Sequence, residues 1–363
     1  MLLPGRPPSI QMTNPLRVVV VGSGIGAQHI RALRTAPDLF QVTAICDIDP
    51  QRARALAEEH AIPELLTEFN TAIQRADVDI IDICTPPNLH FRQIHAAVEA
   101  GKHVICEKPI VGSLNELDQL EDLSRRTGKQ IMPVFQYRFG RGLQKLKYLV
   151  ERQLTGQAFV FNVDVAWWRS RDYYSVPWRG KRATELGGAL LSQAIHAVDM
   201  VFYILGPART LFARTVTRVN PIEVEDCAAI AVEMNDGSLG TISVTLGSAA
   251  QISRHRFTFR NLSAESNTEP YANSAEPWMF SFPEENQDER IERALSEFTP
   301  SAEGYEGQFR RFYHSFKQAE ALPVSLADAR RVLEFIAAVY YSAESGEPVS
   351  LPLTKTNPKY FQL

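Results

Sequence analysis

Two side chains in this chain have the type and setting for proton transfer at a hydroxyl group, Lys108 and His196. Lys108 follows the apolar run Val104-Ile105-Cys106 and precedes Pro109. That places it at the carboxyl end of a strand, where open parallel sheets bind their ligands. His196 lies in a stretch that runs from Glu185 through the pair Gly187-Gly188 and ends at Gly206, a pattern that predicts a loop entering one helix. On one helix Ser192 and His196 are four residues apart and His196 and Asp199 three, so all three share a face. A histidine beside a carboxylate titrates near neutrality and suits a general base taking the hydroxyl proton, with Lys108 stabilising charge on the oxygen.

The elements that would position these groups begin with Arg17-Val-Val-Val-Val-Gly22-Ser-Gly24-Ile25-Gly26-Ala-Gln-His29, a β-branched run breaking into glycines and then a helical pattern. Glycines let the backbone approach a pyrophosphate, and the helix that follows aims its first amides at the phosphates. A second strand, Val42 to Cys46, ends in Asp47, which stands where an acid would hold a ribose. A third, Asp79 to Cys84, runs into Thr85-Pro86-Pro87-Asn88-Leu89-His90. These residues, with Glu107 and Lys108, form the expected dinucleotide site. NAD is expected over NADP, since Asp47 would repel a 2′-phosphate and Arg52 is the only near basic residue. Downstream, Arg138, Trp178, Arg179, Ser192, Gln193 and Asp199 are the candidates for holding substrate. Trp167, Trp168, Tyr173 and Tyr174 could stack on a sugar.

With 363 residues, 45% of them hydrophobic, the chain is long enough for two cored domains. From Leu16 to about Pro133 strand and helix alternate, with strands at 17–21, 42–46, 79–84, 103–106 and 130–134, which predicts a doubly wound α/β domain over 16–134. Residues 135–363 change character: alternating runs at 156–167, 210–219, 227–234 and 239–246, with Asn235-Asp-Gly237 as a hairpin turn, predict an α+β domain on a large open antiparallel sheet. Residues 263–300 read as a polar excursion, 305–320 and 326–343 as helices, and 1–15 as a disordered tail with Met12 as a second start. A formal net charge of −4 with interspersed signs offers no footprint for nucleic acid or a membrane surface. No Cys-x-x-Cys or zinc-type histidine pair occurs, so no metal is expected, and the four cysteines suit a reducing, cytoplasmic setting.

These residues resemble the Gfo/Idh/MocA oxidoreductases over about residues 16 to 353. The resemblance is carried by Gly22-x-Gly24 with His29, Asp47, Thr85-Pro-x-x-x-His90, Gly101-Lys-His-Val-x-x-Glu-Lys-Pro109, Tyr137-Arg138, Trp178-Arg-Gly180, Gly187-Gly188 with His196 and Asp199, and Pro348-Val-x-Leu-Pro352. It implies a Rossmann domain, a sheet domain used for homodimers or homotetramers, a nicotinamide cofactor, and hydride-transfer roles for Lys108 and His196. Two departures stand out: the glycine loop is one residue shorter than Gly-x-Gly-x-x-Gly-x-x-His, and Ser192 occupies the position four before the histidine where many members carry a carboxylate. The expected activity is NAD(P)-dependent oxidation of a secondary alcohol, or reduction of its ketone, in a sugar, sugar derivative or cyclitol. Two alternatives stay open, a redox-neutral enzyme that holds NAD tightly and a non-catalytic dinucleotide sensor.

Overall fold

The computed structural model describes residues 14–283 and 289–363. Most of the expected tail at 1–15 therefore lies outside the described residues.

The first half is built on β1 (Leu16–Val21), β2 (Phe40–Cys46), β3 (Glu64–Leu66), β4 (Ile80–Ile83), β5 (His103–Cys106) and β6 (Ile131–Pro133). They form one parallel sheet in the order β3-β2-β1-β4-β5-β6. The connections are α1 (Gly26–Arg34), α2 (Pro50–Glu59), α3 (Phe69–Gln74), α4 (Pro87–Glu99) and α5 (Leu114–Thr127). The order reverses between β1 and β4, so a crevice opens at their carboxyl ends. Val18 to Val20, Ile80, Ile81 and Val104 are wholly buried, because a parallel sheet covered on both faces needs continuous apolar strands rather than alternation. The sequence pattern predicts five of these strands; β3, a short edge strand with little apolar patterning, escapes it.

The second half adds α6 (Arg141–Glu151), β7 (Ala158–Trp168), α7 (Arg182–Glu185), α8 (Ala189–Ser192), α9 (Ile195–Leu205), β8 (Ala208–Val216), β9 (Cys227–Met234), β10 (Leu239–Thr245), β11 (Gly247–Phe259), β12 (Ser263–Glu265) and β13 (Met279–Ser281). The chain ends with α10 (Glu289–Glu297), α11 (Gly304–Gln318), α12 (Leu326–Ser345) and β14 (Val349–Ser350). Eight strands pair in the order β13-β12-β11-β7-β10-β9-β8-β14. All neighbours are antiparallel except β7 and β10, which run parallel, so the sheet is mixed. The Asn235-Asp-Gly237 turn does join β9 to β10, with Gly237 at a φ of 84°. The stretch 263–300 is not one irregular excursion, since it supplies β12, β13 and α10. Helices α8, α9 and α12 cover one face of the sheet, while α11 returns to pack on α1 of the first half. Ser325 and Asp328 form a reciprocal cap at the start of α12, as their spacing suggests.

Candidate active site

The glycine loop sits at the crevice. Gly22 has a φ of 98°, and a Cβ there would lie 2.6 Å from the Cys84 carbonyl oxygen. Only glycine allows β1 to turn this closely against the end of β4. A Cβ on Gly24 would meet nothing within 4 Å, and no side chain caps α1, whose first turn carries no acid. The start of that helix is thus left open to an anion. Asp47, at the end of β2, accepts from the Ser23 amide at 2.7 Å and the Asp49 amide at 2.9 Å, and Arg52 lies 3.5 Å away. Burial works against its charge, but these donors win and hold the carboxyl below its usual range. These features fit an adenosine ribose and a pyrophosphate. Ile25 is exposed beside them.

Two expected cofactor ligands have other partners. His90 is wholly buried and places Nδ1 2.7 Å from the Pro109 carbonyl and Nε2 2.8 Å from the Thr85 carbonyl. It ties the Thr85-Pro86 loop, and with it the start of α4 at Asn88, to the loop carrying Lys108. Glu107 accepts from His29 Nε2 at 3.1 Å, from the Tyr305 hydroxyl at 3.0 Å and from the Lys108 amide at 3.0 Å. His29 Nδ1 in turn lies 2.9 Å from Asp82. Burial opposes charge on His29, but Asp82 outweighs it and raises the imidazole well above its ordinary range. Glu107 is likewise lowered to about 2 against its burial, by the hydrogen bond and charge of His29. His29, Asp82 and Cys84 form a buried cluster with metal-ligand side chains, yet both imidazole nitrogens are taken up by carboxylates.

Lys108 leaves β5 and reaches across to the second half, where Nζ donates to the Ser192 carbonyl at 2.6 Å. Burial, followed by opposing effects of Glu107 and Arg179, lowers its pKa. The predicted single helix is broken: Arg182–Ser192 and Ile195–Leu205 differ in direction by 50°, with Gln193 and Ala194 between α8 and α9. Ser192 and His196 therefore do not share one helix face. Asp199 does not reach His196 either. Both its oxygens are taken by Arg138, at 2.8 and 2.5 Å, and Arg138 Nη1 is 3.3 Å from Asp328. Arg138 and Asp199 were expected at the substrate; at 4% and 0% exposure they form a buried ion pair instead.

His196 stacks on Tyr137 at 4.5 Å and meets Phe135 edge-on. Its Nδ1 is buried without a partner. Burial, then the Lys108 charge, lowers its pKa to about 3. Titration near neutrality required a carboxylate beside the ring, and Arg138 has claimed the one expected there. Gln193 donates to the Tyr173 hydroxyl at 2.9 Å and leaves its Oε1 unpartnered. The Arg179 guanidinium lies over Trp178 at 4.3 Å and over Tyr173 at 4.1 Å, with Glu185 3.5 Å away.

Sequence reasoning missed Glu185. It is 2% exposed and accepts from the Ser192 hydroxyl at 2.9 Å and from the Gly180 amide. Its charge also reaches Lys108. A carboxylate therefore does stand behind Ser192, delivered from α7 rather than from the helix of the histidine. The only sequence signal was an acid just ahead of a glycine pair.

A family model described as an oxidoreductase family with an NAD-binding Rossmann fold matches residues 16–135, and the Gfo/Idh/MocA C-terminal domain model matches 143–260. The chain belongs to the Gfo/Idh/MocA oxidoreductases. A relative in this family, the myo-inositol 2-dehydrogenase of Thermotoga maritima, is 29% identical over 62% of this chain and 67% of its own length. The D-glucoside 3-dehydrogenase of Escherichia coli is 29% identical over 54% of this chain and 56% of its own, so the match spans little more than half of that relative. Among solved structures, the WlbA dehydrogenase of Chromobacterium violaceum in complex with NADH and UDP-GlcNAcA is 29% identical, with a TM-score of 0.81 over 94% of this chain and 97% of that one. Within the Gfo/Idh/MocA family this chain is thus an oxidoreductase on an NAD-binding fold, and its glycine loop and Asp47 fit that cofactor.

Proposed function

We propose that the chain transfers a hydride between NAD and a secondary alcohol, or its ketone, in a sugar, sugar derivative or cyclitol. The observation that carries this reading is the convergence of Lys108, from the end of a Rossmann strand, with Ser192, Gln193 and His196 from the second half, at the carboxyl edge of the parallel sheet. The relatives named for inositol and glucoside oxidation support the substrate class. Bound nicotinamide supplies the hydride acceptor. Gly22, Gly24, Gly26 and Asp47 would hold its nucleotide. The residues of the chain handle the proton. With its pKa lowered, Lys108 Nζ takes the hydroxyl proton as the C–H electron pair leaves the same carbon. His196, neutral at physiological pH, offers a hydrogen bond and orients the substrate oxygen. Glu185 fixes the Ser192 hydroxyl, while the Ser192 carbonyl aims Lys108. A panel of polyols and sugars with NAD, followed by the absorbance of reduced nicotinamide, tests the reading; no reduction with any of them would exclude it.

We further propose a homo-oligomer formed through the uncovered face of the eight-stranded sheet, where Val160, Phe212, Val216 and Leu239 are exposed. Larger apolar patches of this kind mark interaction sites. The four unpaired cysteines support a reducing compartment, and among the described residues no single helix is long and apolar enough to cross a membrane.

A further inference from the structure

The wall of the site contains a cation that no carboxylate among the described residues pairs with. Arg169 leaves the end of β7 and places its guanidinium 4.9 Å from the ring centres of both Trp167 and Tyr173 and 5.7 Å from that of Tyr271. Its Nη1 donates to the Trp168 carbonyl at 2.8 Å and its Nη2 to the Tyr271 hydroxyl at 2.5 Å. Its Nε is buried and has no partner. Among the described residues no carboxylate lies within ion-pair distance of it. The other cations of the site are compensated, Arg179 by Glu185 and Lys108 by the charges of Glu107 and Glu185.

Arg169 also belongs to the site rather than to the outer surface. It borders Tyr173, which bonds Gln193, and its charge reaches Tyr137, on which His196 stacks. One edge of this half-buried guanidinium is shielded from water and unsatisfied, which is costly, and its planar fork matches a carboxylate with two parallel bonds. Tyr271 occupies half of that edge with one neutral oxygen, and at 62% exposure it is free to swing aside.

We propose that Arg169 is a specificity residue that receives a carboxylate on the substrate, so that the enzyme acts on a sugar acid, as the free acid or as an acid sugar linked to a carrier. This rests on the dehydrogenase reading above. In the bound state the two carboxylate oxygens take Nε and Nη2, and Tyr271 packs over the acid. Reaction stoichiometry is unchanged: one hydride leaves for NAD, one proton for Lys108, and the acid group is a spectator.

The test pairs each acid with its neutral counterpart: D-glucuronate with D-glucose, D-galacturonate with D-galactose, D-gluconate with D-sorbitol, and UDP-glucuronate with UDP-glucose. Affinity for the enzyme–NADH complex is read by nicotinamide fluorescence, and turnover by NADH formation from NAD. At least one acid is expected to exceed its neutral counterpart by about 30-fold or more in kcat/KM, as a charge-assisted bidentate pair warrants. Arg169→Gln should cut that acid's value by on the order of 10²-fold and leave the neutral compound within about threefold, with Arg169→Lys between them. NADH affinity should be unchanged in both variants, which also shows that they fold. Turnover of neutral compounds without a preference for any acid, equal losses on both members of a pair in Arg169→Gln, or no binding of any acid would each overturn the proposal. Acid binding that depends on Arg169 without NAD reduction would support the carboxylate site and overturn the dehydrogenase reading instead.

Discussion

Lys108→Met removes the side chain that links the end of β5 to Ser192 while leaving the glycine loop untouched. Turnover should fall by on the order of 10²-fold or more, with NADH affinity within about threefold of wild type by fluorescence titration. The lowered pKa of Lys108 sets the sign of the pH effect. The amine form grows as pH rises, so alcohol oxidation should increase along a limb whose midpoint lies below the ordinary lysine value of about 10.4. His196 is already neutral over that range, with its pKa near 3. His196→Asn should therefore lower turnover without moving the limb. A wild-type limb near pH 6.5, about the ordinary histidine value, that disappeared in His196→Asn would give the base role back to the histidine. Asp47, fastened by the Ser23 and Asp49 amides, presents fixed negative charge beside Arg52. Asp47→Ser should lower the kcat/KM ratio of NAD to NADP by about tenfold or more, because it removes the repulsion of a 2′-phosphate.

The short helix α8 is held from outside by Glu225, which accepts from the Gly188 and Leu190 amides and from the Tyr340 hydroxyl. Burial pushes its pKa to about 7, above the value of about 4.3 expected in the unfolded chain. Between those values the folded state binds more protons, so this contribution to stability is complete at low pH and is lost as pH rises through 7. Glu225→Gln should flatten that slope: from pH 5 to 8 wild type should lose about 2 kcal/mol or more relative to the variant, read from urea midpoints. Gly188→Ala would put a Cβ 1.9 Å from the Glu225 carbonyl oxygen and should displace α8, lowering both stability and turnover. These elements also show what a linear reading can reach. The βαβ repeat, the Gly22 turn, Asp47 and the position of Lys108 were legible because each depends on local pattern and chain geometry. The break at Gln193 was not, since an unbroken apolar run is equally good as one helix or two. β11 escaped because Arg254, Arg256 and several small residues dilute its alternation, although His255, Phe257 and Phe259 do point inward. Arg169, Tyr271 and Tyr305 carry no local signature, and Glu185 has only its place ahead of the Gly187-Gly188 pair. Tyr305 meets Glu107 only when the two halves close on each other, and Arg169 meets Tyr271 only when distant segments of the second half pack together.

At the scale of the molecule, the uncovered face of the second sheet should govern assembly. Light scattering is expected to give a dimer or tetramer, and the double variant Phe212→Glu, Leu239→Lys should shift it toward monomer; a monomeric wild type would remove the proposal. Breaking the Arg138–Asp199 contact by Arg138→Met should cost about 3 to 5 kcal/mol, because the wholly buried Asp199 is left without its cation, whereas Asp328 keeps Arg331 at 3.4 Å. One further consequence follows from α11. Its Gln308 side chain bonds the Phe135 amide and the Pro133 carbonyl, and Tyr305 bonds Glu107, so residues near the end of the chain complete a crevice built from residues near its beginning. On the ribosome the nucleotide-binding half emerges long before those partners exist. It must wait with the neighbourhood of Lys108 unfinished while more than 150 further residues are made, as sequence separations of 173 and 198 require. Loop closure over such distances comes late in folding. Catalytic competence should therefore be the last property a refolding or nascent chain acquires, after its parallel sheet has already formed.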